Sequence, residues 1–246
     1  MKAFIVVIAA AMIVVAALAA FAPASLVDAR VASATGGQVR IAEAEGTLWR
    51  GRGLLAASDG RWRIPVAWRV DIASLPRGVA SIELGSEDVT EVRGNATVLR
   101  DRVVVESLDA ELPASMLGAM DPAASVFTGG ELKLRARSLA LDSQRSGTID
   151  ADWSGARVQA GALRVDLGTV TMRLAAQGAT ISGPVASKGG DVAVEGTLVL
   201  LDERLDANLR LTPTATASAE LRNALASLGP ADGRGTVALR IARTLR

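Results

Sequence analysis

The 246-residue chain contains no Cys, no His and no Tyr. Without Cys there are no disulfides and no thiolate metal sites. Without His a Ser-His-Asp arrangement is impossible, and so are the common zinc sites. Aromatic residues make up only 3% of the chain, so apolar faces must be built mainly from Leu, Val and Ala. Lys occurs only at positions 2, 133 and 188 and Arg supplies the rest of the basic charge, which reads as compositional bias rather than mechanism. Lys and Arg together number 27 against 26 Asp and Glu, a formal net charge of +1. That balance excludes the basic surplus of a dedicated nucleic-acid binder and the character of an acidic disordered tail. The length suits one domain.

What the chain does have begins at its start. After Lys2, an uncharged apolar run extends from Ala3 to Ala22 and continues weakly to Val27. About 20 such residues span a bilayer as a helix. Lys2 and the terminal amine are the only charges before the run, so the positive-inside rule keeps the N-terminus cytoplasmic and exports the rest. The competing reading is a cleaved export signal, with small residues at Ala20, Ala22 and Ala24. Pro23 opposes cleavage after Ala22, whereas cleavage after Ala24 stays open. The length of the run favours an anchor over residues 1–27, and both readings place residues 28–246 across the membrane, the periplasm in a Gram-negative cell.

From Val39 onward the dominant period is two. In the stretch from Arg63 to Ile72, Ile64, Val66, Trp68, Val70 and Ile72 fall on one side, and Arg63, Pro65, Ala67, Arg69 and Asp71 on the other. Alternation of this kind gives a strand one apolar and one mostly polar face. Pro65 cannot donate to a ladder and predicts an edge position or a bulge. The pattern returns at 131–137, at 192–200, at 205–211 after an Asp202-Glu203-Arg204 turn, and at 236–241. Gly-rich punctuation separates the runs. The expected fold is all-β: a twisted or curved, meander-like antiparallel sheet preceded by one transmembrane helix. Short helices are expected near 113–120, with Ser115 as cap, and at 219–228, where Leu221, Leu225 and Leu228 have helical spacing before a Gly229-Pro230 stop. The stretch 113–130 is the best candidate for a boundary between two halves of the sheet. Glu45-Gly46-Thr47-Leu48 echoes Glu195-Gly196-Thr197-Leu198, too short a likeness to define a repeat.

No catalytic group, cofactor site or metal site emerges. A Ser-Lys dyad would need Lys133, on the polar side of an alternating strand, or Lys188, in a Ser-Lys-Gly-Gly loop; both read as solvated charges. The acidic pairs Glu87-Asp88 and Asp202-Glu203 sit in turn-like segments that supply no burial to shift a pKa. There is no phosphate-binding glycine fingerprint between a strand and a helix. The expectation is a protein that is not an enzyme. Trp49, Trp62, Trp68 and Trp153 are four of only seven aromatic residues. They read either as a core cluster or as interface anchors, and with Arg50, Arg52, Arg61, Arg63 and Arg69 around them they also suit contact with lipid headgroups.

The segment AEGTLWRGRG from Ala44 to Gly53, followed by WRIPVAWRVD from Trp62 to Asp71, resembles protein N of the type II secretion system. That family carries a G-T-L-W-x-G stretch and then W-x-apolar-P-x-x-W. Here these are Gly46, Thr47, Leu48, Trp49 and Gly51, then Trp62, Pro65 and Trp68. A Leu-rich segment from Leu221 to Gly229, Gly233-Arg234 and a last strand from Thr236 to Ile241 match the family's ending. The resemblance implies an inner-membrane protein with one span and a periplasmic domain. Its expected role is assembly of the machinery that exports proteins across the outer membrane, with inner-membrane secretion components or the secretin as partners. It carries no catalytic residues to transfer, and the Met-Lys start leaves almost no cytoplasmic tail. The alternative is a membrane-anchored lipid-handling groove like the AsmA-like proteins. Apolar faces packed on each other would exclude it, and an open trough would favour it.

Overall fold

The computed structural model describes residues 21–85, 91–99, 102–116, 126–140, 142, 144–161, 163–201 and 204–244. Residues 1–20, which hold most of the expected anchor, lie outside them. Among the described residues no helix is long and apolar enough to cross a membrane.

The described chain opens with helix α1 (Ser25–Ala34) and continues as one antiparallel sheet in sequence order. Its strands are β1 (Val39–Gly46), β2 (Arg50–Ala57), β3 (Arg63–Asp71), β4 (Ala80–Leu84), β5 (Val92–Val98), β6 (Val103–Pro113) and β7 (Val126–Ala140). They continue with β8 (Arg145–Ala160), β9 (Leu163–Gly178), β10 (Thr180–Lys188), β11 (Val192–Leu201), β12 (Arg204–Pro213) and β13 (Val237–Thr244). A 3-10 helix (Ile72–Arg77) links β3 to β4, and helix α2 (Ala219–Leu228) precedes β13. At normal strand spacing this stack is roughly 60 Å from first strand to last. The meander expectation holds across all 13 strands.

The register shows why the sheet forms. The cross-strand row Trp68, Leu84, Gly94, Leu108, Ala136, Ile149 and Leu174 lies on one face. Leu112, Leu132, Trp153 and Val170 make a second row on the same face. The opposite face carries Glu111, Lys133 and Asp152 in one row and Asp109, Arg135 and Asp150 in the next. A period of two, kept in register over many strands, thus gathers the apolar side chains on one side and alternates charge on the other. Lys133 bonds Glu111 at 2.8 Å, and Arg137 bonds Asp109 at 3.0 Å. Glu43 and Ser138, with φ of 53° and 49°, sit at bulges that keep the long strands β1 and β7 in phase.

No second sheet covers the apolar face among the described residues. The chain exposes 15272 Å², against roughly 10,000 Å² for a compact monomer of this length. Burial comes instead from side chains that cluster across neighbouring strands and from the two helices. Beside the short β4, Trp62 and Ile64 reach past it to Val92 and Leu112. Helix α2 places Leu221 and Leu225 against Val192, Val194 and Val237, and Ser218 caps it by accepting the Leu221 N–H.

Several expectations need correction. Ile72 leaves the β3 face: Asp71 accepts the Ala73 N–H, turns the chain into the 3-10 helix, and leaves Ile72 51% exposed. Leu228 likewise projects from α2 rather than packing. The 113–130 stretch does not divide the sheet, because β6 and β7 pair from Val104 to Pro113 around it. Ser115 and Met116 are helical, so Ser115 is not the cap expected of it; Pro113 ends β6 and Ala114 is a turn, and residues 117–120 fall outside the described residues. Pro65 stands opposite Leu54 of β2 and has no ladder partner on its other side among the described residues, as an edge position requires. The Gly46 and Gly196 echo has no structural counterpart: one glycine ends β1 at a turn, the other lies mid-strand in β11.

Candidate functional site

The motif residues converge at the β1–β2 turn. Gly46 closes β1 with φ +92°, and a Cβ there would meet the Arg50 carbonyl. Only a residue without a side chain fits both conditions. Thr47 follows, its N–H donating to the Arg50 carbonyl at 2.9 Å and its Oγ1 accepting the Arg50 N–H at 3.2 Å. These bonds hold the turn as a closed loop.

Trp68 locks the loop from β3. Its Nε1 donates to the Leu48 carbonyl at 3.1 Å, and the Val70 N–H donates to the Trp49 carbonyl at 2.7 Å. Gly51 lies directly opposite Trp68 in the ladder. The indole covers it so closely that a Cβ at 51 would collide with the ring and stand 2.7 Å from the Glu45 carbonyl. The G-x-x-x-x-G spacing and the Trp twenty residues beyond Leu48 are therefore parts of one joint. Trp68 itself is 7% exposed, packed with Ala24, Ile41 and Leu84.

The same turn grips the chain just after the apolar run. The Leu48 N–H donates to the Ala22 carbonyl at 2.7 Å, the Ala24 N–H to the Gly46 carbonyl at 3.3 Å, and Pro23 bridges Thr47. From there α1 runs along β1. Val27 and Val31 pack near Trp68, and Asp28 accepts the Ile41 N–H at 2.8 Å and pairs with Arg40. The Arg40 hydrogen bond, with the Ile41 N–H and the Arg40 charge, holds the Asp28 carboxyl below its usual range against partial burial. Thr35 ends the helix by donating to the Val31 carbonyl and accepting the Val39 N–H. Asp28 was not singled out in the sequence, and Ala22, Pro23 and Ala24 were read there only for cleavage, not for contact with the motif. Their one visible signal is position, since Asp28 is the first acid after the apolar run.

The other tryptophans divide. Trp62 is buried at the far end of β3 with Ala57 and Ile64, so the structure does not bring it or Pro65 into the joint. Trp153 is buried in β8, its Nε1 donating to the Gly129 carbonyl at 2.9 Å. Trp49 is half-buried beside the turn. Three of the four therefore serve the core. Of the flanking arginines, Arg52 pairs with Glu45, Arg69 with Glu83 and Arg61 with Asp59, all on the exposed side.

No group of acidic residues able to hold a metal occurs among the described residues. Lys133 is kept protonated by the hydrogen bond from its ammonium to Glu111, with the Glu111 charge adding to it, the opposite of what a catalytic base needs. What the site can do is mechanical: it fixes the first strands of the sheet to the segment that follows the apolar run.

A model of the family described as type II secretion system (T2SS), protein N, matches residues 37–240. No curated protein and no solved structure matches the chain.

Proposed function

Because this chain belongs to the type II secretion system protein N family, we propose that it is the inner-membrane member of that machine which its sequence describes. In this reading residues 1–27 anchor it with the N-terminus in the cytoplasm. Residues 28–246 form a periplasmic all-β domain that assembles or stabilises the apparatus for export across the outer membrane. Its partners are other inner-membrane secretion components or the secretin. The observation that carries the reading is the joint itself. Leu48, Gly46 and Thr47 hold residues 22–24, so the family motif sets the direction in which the sheet leaves the anchor.

The test is site-specific photocrosslinking from Trp49 in cells carrying the whole secretion system. A crosslink to another secretion component is expected. Recovery of phospholipid alone would overturn the assembly role.

One observation favours a second reading, a lipid-binding groove. The sheet is single, and Leu134, Met172, Leu174 and Leu198 are only partly covered along its apolar face. Aligned apolar side chains with no opposing layer among the described residues offer acyl chains a continuous track. Native mass spectrometry of the protein extracted in detergent, before and after Leu134→Glu with Leu198→Glu, decides it. Bound phospholipid lost in the double variant supports the groove, and lipid-free wild-type protein excludes it.

A further inference from the structure

The two edges of the sheet are finished differently. At β1 the edge is covered: α1 lies beside it and Asp28 takes the Ile41 N–H. At β13, beyond a single bridge between Ala231 and Val237, no described element pairs with the outer side. One bond gives the direction of the main-chain groups there. The Asp232 N–H donates to the Thr236 carbonyl at 3.0 Å on the side away from β12. Main-chain groups alternate sides along an antiparallel strand. Ala238, Arg240 and Ala242 therefore aim their N–H and C=O groups outward, while Leu239 and Ile241 bond to β12.

The side chains define what fits. Leu239 and Ile241 continue the apolar face to the rim, with Ile241 39% exposed. Arg240 stands on the polar face, and the neighbouring Arg210 lies on the same face of β12. Neither makes an ion pair among the described residues, unlike Lys133 with Glu111 or Arg137 with Asp109. A surface depression of ≈ 480 Å³ opens between them, lined also by Thr197, Asn208 and Glu195, the residue opposite Arg210 in the ladder.

We propose that the β13 edge receives an extended segment of a partner protein, added as a further antiparallel strand. That segment alternates apolar residues, which lengthen the Leu239 and Ile241 face, with Asp or Glu, which meet Arg240 and Arg210. A second copy is a poor occupant. Its β1 edge is covered by α1, and its β13 edge brings another arginine. The assembly role supplies only the biological setting, since the test below needs no secretion machinery and its failure leaves that role standing.

The test is fluorescence anisotropy of a labelled synthetic peptide alternating Val and Glu, titrated with the full chain in detergent. A Val-Lys peptide is the control. The Val-Glu peptide binds saturably, and Arg240→Pro and Ala242→Pro each weaken it roughly tenfold with an unchanged melting temperature. On the main chain those prolines remove only outward N–H donors, which an edge strand tolerates; Arg240→Pro takes away the guanidinium as well, so Ala242→Pro isolates the ladder. Arg240→Glu keeps the ladder intact and shifts preference to the Val-Lys peptide. No saturable binding, equal binding of both peptides, or prolines without effect would each overturn the proposal. So would a concentration-dependent dimer in sedimentation that the prolines abolish, which would assign the edge to a second copy.

Discussion

The first strands and the last are made from the same alternating pattern, yet they end in opposite ways. β1 is sealed by α1, by Asp28 and by the turn that Trp68 closes. Along β13, from Ala238 to Ala242, no described element pairs with the outer side of the strand. A meander must begin and stop somewhere, and each end leaves main-chain groups without partners. This chain places the Trp68–Gly51 contact and the Gly46 turn at the beginning. Stability and family motif therefore sit together at the N-terminal end of the sheet, and accessibility sits at the other.

Breaking the closed end should cost most. Trp68→Ala removes the indole from between Ala24, Ile41 and Leu84 and leaves the Leu48 carbonyl without its donor. Urea unfolding of the domain should show a loss of about 3–5 kcal/mol. Gly51→Val forces a side chain into the same ring from the opposite strand and should cost about 1–3 kcal/mol in the same measurement. If Gly51→Val is neutral, the motif glycine serves something other than Trp68 packing.

Asp28→Ala sharpens the comparison by opening the covered edge. It orphans the Ile41 N–H, at a cost of about 1 kcal/mol. The effect depends on pH. Asp28 binds its proton less readily in the folded chain than in the unfolded one, because Arg40 and the Ile41 N–H stabilise the carboxylate. Its contribution is complete above about pH 4 and disappears as pH falls through the lower folded value. Thermal melts of wild type and Asp28→Ala should therefore differ at neutral pH and converge in acid. At the open edge, Ile241→Ala removes a side chain that is 39% exposed. It should cost under about 1 kcal/mol, the smallest change of the series.

Much of this architecture was legible because burial on one face imposes a period of two. The strands at 63–71, 131–137, 192–200, 205–211 and 237–241 announce themselves in that way. β2 and β8 do not. Arg50 to Ala57 reads R-G-R-G-L-L-A-A, where Gly51 and Gly53 occupy the apolar side without apolar side chains. In β8 much of the apolar side is Ala or Gly, and a bulge after Trp153 shifts the phase. Helix α1 merges with the apolar run in sequence and becomes distinct only through its contacts with β1. Glycines of the motif could be recognised, but not their reason. Gly51 is paired with Trp68 by the register of two strands, and Leu48 with Ala22 by a loop folding back, neither of which local spacing encodes.

Hydrogen–deuterium exchange on the full chain tests the central claim most directly, because amide protection reports local opening. Peptides covering 39–57 should exchange slowly, the amides of Arg240 and Ala242 rapidly, and Trp68→Ala should abolish protection at 39–57 while leaving β11 and β12 unchanged. Rapid exchange at 39–57 in the wild type, or protection there that survives Trp68→Ala, would contradict the account of the motif as the joint between residues 22–24 and the sheet.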